Sequence, residues 1–244
     1  MNSKVRVFVL AVIVVTACLP SLAPALEKTA APMADRFDGW RAGGASATCL
    51  VDYYNLCNGW VWIWSGFLPT ERIGVCFSSC CTSPLGAEVD SSFVFFWSGA
   101  PAGYGWTGSI GIFNVDQDCC PIGTPLASQP LLPASGWNGI GFGSVIVPRS
   151  FAVLFTFGAT ASAPITIATD HPAAGPTGGV ACGPCYPSTR ASRSFYWGPT
   201  GSPICPGSSF NDGVCDAQFL WDASMHCFTS VEASSWATIK GLYR

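Results

Sequence analysis

The chain has 244 residues, of which only 10% are charged, and a formal net charge of −3. Ordinary globular domains carry about 25% charged residues, and a chain with so few and no basic stripe is not expected to bind nucleic acid. Thirteen cysteines, 27 glycines and 19 prolines point to a cross-linked, turn-rich protein long enough for one sizeable core.

Residues 1–25 read as a signal peptide. Lys4 and Arg6 precede an apolar run, Val7 to Ala17, that is too short to span a bilayer as a helix. Pro20 breaks the run, and Ala23-Pro24-Ala25 supplies the small residues a signal peptidase reads, so cleavage is expected after Ala25. A second reading stays open. Val15-Thr16-Ala17-Cys18 has the form of a bacterial lipidation signal, with a lipid anchor on Cys18. Both readings place the chain outside the cytoplasm, secreted or at the periplasmic or outer surface of a bacterium.

Either way twelve cysteines remain: Cys49, Cys57, Cys76, Cys80, Cys81, Cys119, Cys120, Cys182, Cys185, Cys205, Cys215 and Cys227. An even number of thiols in an exported chain predicts disulfides, with a connectivity that spacing does not decide.

Residues 26–47 read as an irregular leader. The domain proper is expected over 48–230, with a tail over 231–244. In the domain, short runs rich in Val, Ile, Phe, Trp and Thr recur between clusters of Gly, Pro, Ser and Asp. They are Trp60–Trp64, Arg72–Phe77, Ser92–Trp97, Ser109–Val115, Ile140–Val147, Phe151–Phe157, Ile165–Thr169, Arg193–Trp197 and Ala217–Trp221. Such residues suit a pleated, half-buried surface, and many short strands with turn signals between them predict an antiparallel β-sandwich. Helical spacing occurs only in the tail, at Trp236, Ile239 and Tyr243. The strands are too short and the cysteines too many for an outer-membrane barrel.

In "GWVWIWSG", Trp60, Trp62 and Trp64 alternate with Val61 and Ile63. On a strand the three indoles share one face. If Val61 and Ile63 point inward, the indoles form an outer platform for sugar rings. If the indoles point inward, they fill the core. The glycine-rich loop "SGAPAGYGWTG" offers Tyr104 and Trp106 as further contact residues. Trp60, Trp62, Trp64, Tyr104 and Trp106 are thus the candidate ligand-binding set.

The stretch "GSIGIFNVDQDCCPIGTPLASQ" places Ile110, Ile112 and Asn114 opposite Gly111, Phe113 and Val115, turns at Asp116 and Asp118, and ends on Leu126-Ala127-Ser128. With "GWNGIGF" and "PRSFAVLFTFG" it resembles the strand, Asp-turn and long core strand of bacterial secreted, jelly-roll-like β-sandwich modules, over about residues 90–160. The resemblance implies a non-catalytic surface or anchor-type module and names no ligand. Cys119-Cys120 within the turn departs from that pattern and speaks against a metal-binding turn. The closing "VEASSWATIKGLYR" is similar to tails on secreted proteins of some Gram-negative bacteria.

"CGPC", Cys182 to Cys185, has the letters of a thioredoxin dithiol. A redox Cys-x-x-Cys needs a strand before it and a helix after it, because the helix N-terminus lowers the first thiol's pKa. Here Pro172, Gly175, Pro176, Gly178 and Gly179 precede it, and Tyr186-Pro187 follows. A structural disulfide is therefore expected, with thiol–disulfide exchange as the alternative function. Asp170, His171, Cys182 and Cys185 have the right chemistry for zinc, but oxidised thiols do not ligate, so neither metal nor cofactor is expected.

Asp116, Asp118, Asp212, Asp216 and Asp222 sit in or near turns, which accounts for them without acid–base work. Only two histidines exist, His171 and His226, and no Gly-x-Ser-x-Gly or P-loop pattern occurs. The expectation is a secreted or cell-surface binding or structural module, without catalytic residues. Its partner would be a glycan or a cell-surface component met through exposed aromatics, with no membrane span.

Overall fold

The computed structural model describes residues 26–32, 49–56, 59–82, 86–97, 107–158, 166–171, 193–198 and 217–228. Within them every regular element is a strand. In chain order these are β1 (Glu27–Pro32), β2 (Cys49–Val51), β3 (Trp60–Ser65), β4 (Arg72–Ser78), β5 (Ala87–Trp97) and β6 (Gly108–Val115), then β7 (Pro121–Leu131), β8 (Gly136–Val147), β9 (Ser150–Phe157), β10 (Thr166–Asp170), β11 (Ser194–Trp197) and β12 (Trp221–Cys227).

They form two antiparallel sheets. The first runs β1-β3-β10-β5-β12-β2, with β8 on the other side of β5; the second runs β11-β4-β9-β6-β7. β12 covers β5 from Ala87 to Val94, and β10 takes over at Phe96 and Trp97. One edge of β5 therefore serves two partners in succession.

The sheets face one another across a single main core. Along β9, Phe151, Val153, Phe155 and Phe157 enter it, while Ala152 and Leu154 point to the opposite face. β4 repeats the period with Ile73, Val75 and Phe77 inward, and β6 adds Ile110 and Ile112. The first sheet answers with Val94, Phe96, Ile167, Trp221, Ala223 and Met225. Phe96 meets Phe155 across the gap edge to face, centroids 5.2 Å apart, a favoured aromatic geometry. This is the expected all-β sandwich.

Both outer faces carry a further apolar layer. On the second sheet Phe195 and Trp197 of β11 lie with Leu154, Ala152 and Cys76. Gly74 of β4 sits beneath them because a Cβ there would come within 2.6 Å of Phe195 Cε2 and would also collide with Leu154. On the first sheet Val61, Phe95, Ala168 and Leu220 cluster, flanked by Tyr54, Leu56, Trp97 and Trp137.

Irregularities set which residues face inward. Asp90 has no partner in the register of β5 with either β8 or β12, and the inward set switches from Ala87 and Val89 to Ser92, Val94 and Phe96. A one-residue shift exchanges faces because side chains alternate. The passage from β7 to β8 is held by Asn138, whose amide accepts from Ala134 N and donates to the Ala134 and Gly136 carbonyls at 2.8 Å each.

Three cystines tie the sandwich: Cys49–Cys80, Cys76–Cys119 and Cys81–Cys227, with Cα separations of 6.5, 6.0 and 5.3 Å. Cys120 is disulfide-bonded as well. Cys57, Cys182, Cys185, Cys205 and Cys215 lie outside the described residues.

Three differences from the sequence reading stand out. The stretch read as an irregular leader opens with β1, which is held by backbone pairing to β3 over six register positions. β7 forms across a segment absent from the expected strands, despite Pro121, Pro125 and Pro130. As an edge strand it has one side free of ladder bonds, where a missing N–H is tolerated. The last strand begins at Trp221 where the sequence reading ends it; Ala217–Leu220 is a buried lead-in that bridges Thr169 through Phe219.

Candidate functional site

The alternating tryptophans lie near the β1 edge of the first sheet. Trp62 and Trp64 face inward, each 7% exposed, and belong to the main core; Trp60 is half-buried. Val61 is wholly buried on the opposite face, under the outer layer. The outward platform of three indoles is thus replaced by an inward pair. Both faces of β3 are apolar, and Phe95, Ala168 and Leu220 cover the one bearing Val61.

The buried indoles are built into a polar seam. Trp64 Nε1 donates to Thr169 Oγ1 at 2.9 Å. The His171 ring stacks on Trp62, centroids 4.2 Å apart and planes 19° from parallel. Lys28 of β1 lies over both indoles, its Nζ 4.8 Å from the Trp62 centroid and 5.6 Å from that of Trp64, within cation–π range. Trp62 Nε1 is buried without a hydrogen-bond partner.

Beside this seam Asp170 acts as a clamp. Its Oδ1 accepts from Gln218 N and its Oδ2 from Asn55 N, both at 2.8 Å. The two oxygens fix the segment before β3 and the lead-in to β12, which is the work of a buried carboxylate satisfying backbone donors. Gln218 in turn accepts through Oε1 from Arg193 N and from the Ser194 hydroxyl. Asp170 thus joins its neighbours through backbone amides; Cys182 and Cys185, the thiols named with it for zinc, lie outside the described residues.

Glu71 is a second buried acid. It accepts from Tyr196 Oη and from Leu68 N, each at 2.6 Å. Burial, the hydrogen bond to Glu71 and that residue's charge together hold the Tyr196 phenol above its ordinary range. The pair joins β11 to the entry of β4 and sits against the stacked rings of Phe67 and Phe157.

Asp116 closes the β6–β7 hairpin, accepting through Oδ1 from Asp118 N and Cys120 N at 2.9 Å. Cys119 holds φ at 66° there, a left-handed conformation that costs a non-glycine residue about 1–2 kcal/mol, and is anchored to β4 through Cys76. Asp116 is thus engaged in the turn, as its sequence context suggests.

Cys80, Cys81 and Cys227 bring their sulfurs within 4.8 Å of one another. Two adjacent cystines, to Cys49 and between Cys81 and Cys227, account for that grouping. Tyr104, Trp106, Asp212, Asp216 and the CGPC residues lie outside the described residues. Asp222 is buried on β12, and its carbonyl accepts from the Ser92 hydroxyl, which itself accepts from Trp221 Nε1.

What sequence reasoning missed is the role of Lys28, Asp170 and Glu71. Only Asp170 carried a signal, its place beside one of two histidines. Among the described residues no helix is long and apolar enough to cross a membrane. Comparison of the chain with family models, with curated proteins and with solved structures gave no match.

Proposed function

We propose that this protein is a non-catalytic binding or structural module working outside the cytoplasm. The observation that carries the reading is the placement of the three cystines, which join positions 31, 43 and 146 residues apart and thereby tie β2, β4 and β12 to the turns between strands. Cross-links of this reach suit an oxidising compartment and a scaffold that must hold its shape. The uses of two of the buried acids support the same reading, because both oxygens of Asp170 and of Glu71 accept internal hydrogen bonds.

With Trp62 and Trp64 inside the core, contact with a glycan falls to Tyr104 and Trp106, with half-buried Trp60 as the remaining candidate. The test is retention on immobilised polysaccharides by the intact protein and by a Tyr104→Ala/Trp106→Ala variant. Retention lost in the variant without a change in unfolding midpoint supports glycan contact. Equal retention of both moves the contact away from Tyr104 and Trp106, and retention of neither removes glycan contact and leaves the structural role. Catalytic turnover of insulin disulfides that disappears with Cys182→Ser would overturn the non-catalytic reading and install thiol–disulfide exchange.

A further inference from the structure

β1 has neither a buried side chain nor a cysteine to hold it to the sandwich. Of its six residues, Glu-Lys-Thr-Ala-Ala-Pro, all but Thr29 are poor strand formers. What holds it is an unbroken antiparallel register on β3, from Glu27 opposite Ser65 to Pro32 opposite Trp60. Lys28 over Trp62 and Trp64 adds to this, as does light packing of Leu26 and Ala30 on the core. An element with little buried apolar surface belongs to the least stable part of a fold.

The strand beneath it is the opposite. β3 reads Trp-Val-Trp-Ile-Trp-Ser, with no charge, proline or glycine. Without β1 its edge would present a row of backbone donors and acceptors flanked by indoles, a template for another strand. The remaining edges among the described residues are protected. β7 carries three prolines, β8 is bulged where Gly143 and Ser144 take positive φ, and β2 and β11 have three and four residues. Recognition across the β1–β3 pair is mostly backbone to backbone, so a second copy's β1 satisfies it as well as the chain's own. Residues 33–48 between β1 and β2 can reach about 50 Å when extended, which is ample for exchange between neighbouring molecules.

We propose that β3 is an acceptor slot for the N-terminal strand of a second copy of this chain, so that residues 26–32 are exchanged between molecules and link them. This rests on the reading of the chain as a structural module and supplies its partner. The contacts in the exchanged form are those already present, so linkage has only the association cost to meet.

The test uses the full mature chain carrying the photo-cross-linker p-benzoylphenylalanine at Thr29, which faces Ile63 in the register. Protein grown on heavy nitrogen and on ordinary nitrogen is unfolded, mixed in equal amounts, refolded with oxidation at high concentration and irradiated. The cross-linked peptides joining residue 29 to β3 are then weighed. Exchange predicts that about half of these pairs in the oligomeric fraction are heavy–light, as random partnering in a swapped assembly requires. It also predicts that the heavy–light pairs vanish when a peptide of residues 26–32 is added in excess during refolding. Pairs that are only heavy–heavy and light–light, or an exclusively monomeric product, overturn the proposal. Insulin turnover, which would defeat the non-catalytic reading, leaves this isotope pattern unchanged, so the two failures are separable.

Discussion

The imidazole of His171 lies flat on the indole of Trp62, 4.2 Å between centroids. The stack joins the end of β10 to β3 at the inner face of the first sheet, and Lys28 covers the same indole. Truncating Trp62 removes the shared surface of all three. Trp62→Ala is expected to lower stability by about 3–5 kcal/mol, as for other buried large-to-alanine changes. A guanidinium titration followed by far-ultraviolet dichroism checks this; an unchanged midpoint would mean that the indole is not part of the core.

Asp170 distinguishes a clamp from a ligand. Asp170→Asn keeps the size but turns one acceptor into a donor facing a backbone amide. One of the Asn55 and Gln218 amides then loses its partner, at about 1–3 kcal/mol. Hydrogen exchange should show the amides of Asn55 and Gln218 losing protection ahead of the β9 core. Loss of protection spread evenly over the molecule would contradict a local clamp.

Tyr196 gives the fold an alkaline limit. Its folded pKa is raised, so below about pH 10, the ordinary tyrosine value, the phenol is neutral in both states and costs nothing. Above that value the unfolded chain releases the proton while the folded chain retains it, and stability falls with rising pH. Tyr196→Phe should flatten this fall between about pH 10 and 12. Unfolding midpoints of both proteins across that range are the measurement, and identical slopes would refute the assignment.

Gly74 is a packing requirement between two sheet layers. Gly74→Ala drives a methyl group into Leu154 and Phe195 and is expected to destabilise by about 1–3 kcal/mol. Gly123, whose added Cβ meets nothing within 4 Å but whose φ is +70°, supplies the contrast. Gly123→Ala should be penalised by backbone strain alone, and Gly123→Asn less than Gly123→Ala. Thermal scans of the three variants decide it.

The cystines should rank by the loop each closes. In the chain-entropy account, removing Cys81–Cys227, with a separation of 146, costs about 5 kcal/mol, and removing Cys49–Cys80, with a separation of 31, costs about 4 kcal/mol. Paired cysteine-to-serine variants measured by denaturant titration test the order. The reverse order would indicate that native-state packing around the sulfurs outweighs loop closure.

The fold was legible where side chains carry it. β4, β6 and β9 alternate large apolar residues with smaller or outer-facing ones, and the inward set of Ile110, Ile112, Phe151, Val153, Phe155 and Phe157 follows from period two alone. β1 was illegible because its place is fixed by the backbone of β3, and Ala, Lys, Glu and Pro give no strand signal. The orientation of β3 was undecidable because Val61 and Ile63 are as apolar as the indoles; it is settled by the distant Phe95, Ala168 and Leu220 that cover one face. The role of Asp170 depends on the distant amides of Gln218 and Asn55, and that of Glu71 on the distant Tyr196 hydroxyl, which no local window contains.

Cys80 and Cys81 are consecutive in the chain, yet they reach different strands, β2 through Cys49 and β12 through Cys227, and those strands are themselves neighbours with Cys49 opposite Met225. Two sulfurs one residue apart thus choose between two acceptors a single strand spacing apart. Premature oxidation would cross the wires as readily as connect them. The β2–β12 ladder, once zipped, holds each acceptor at its own place, so it is the backbone register that tells one sulfur from its neighbour, whether oxidation follows the ladder or exchange corrects it afterwards.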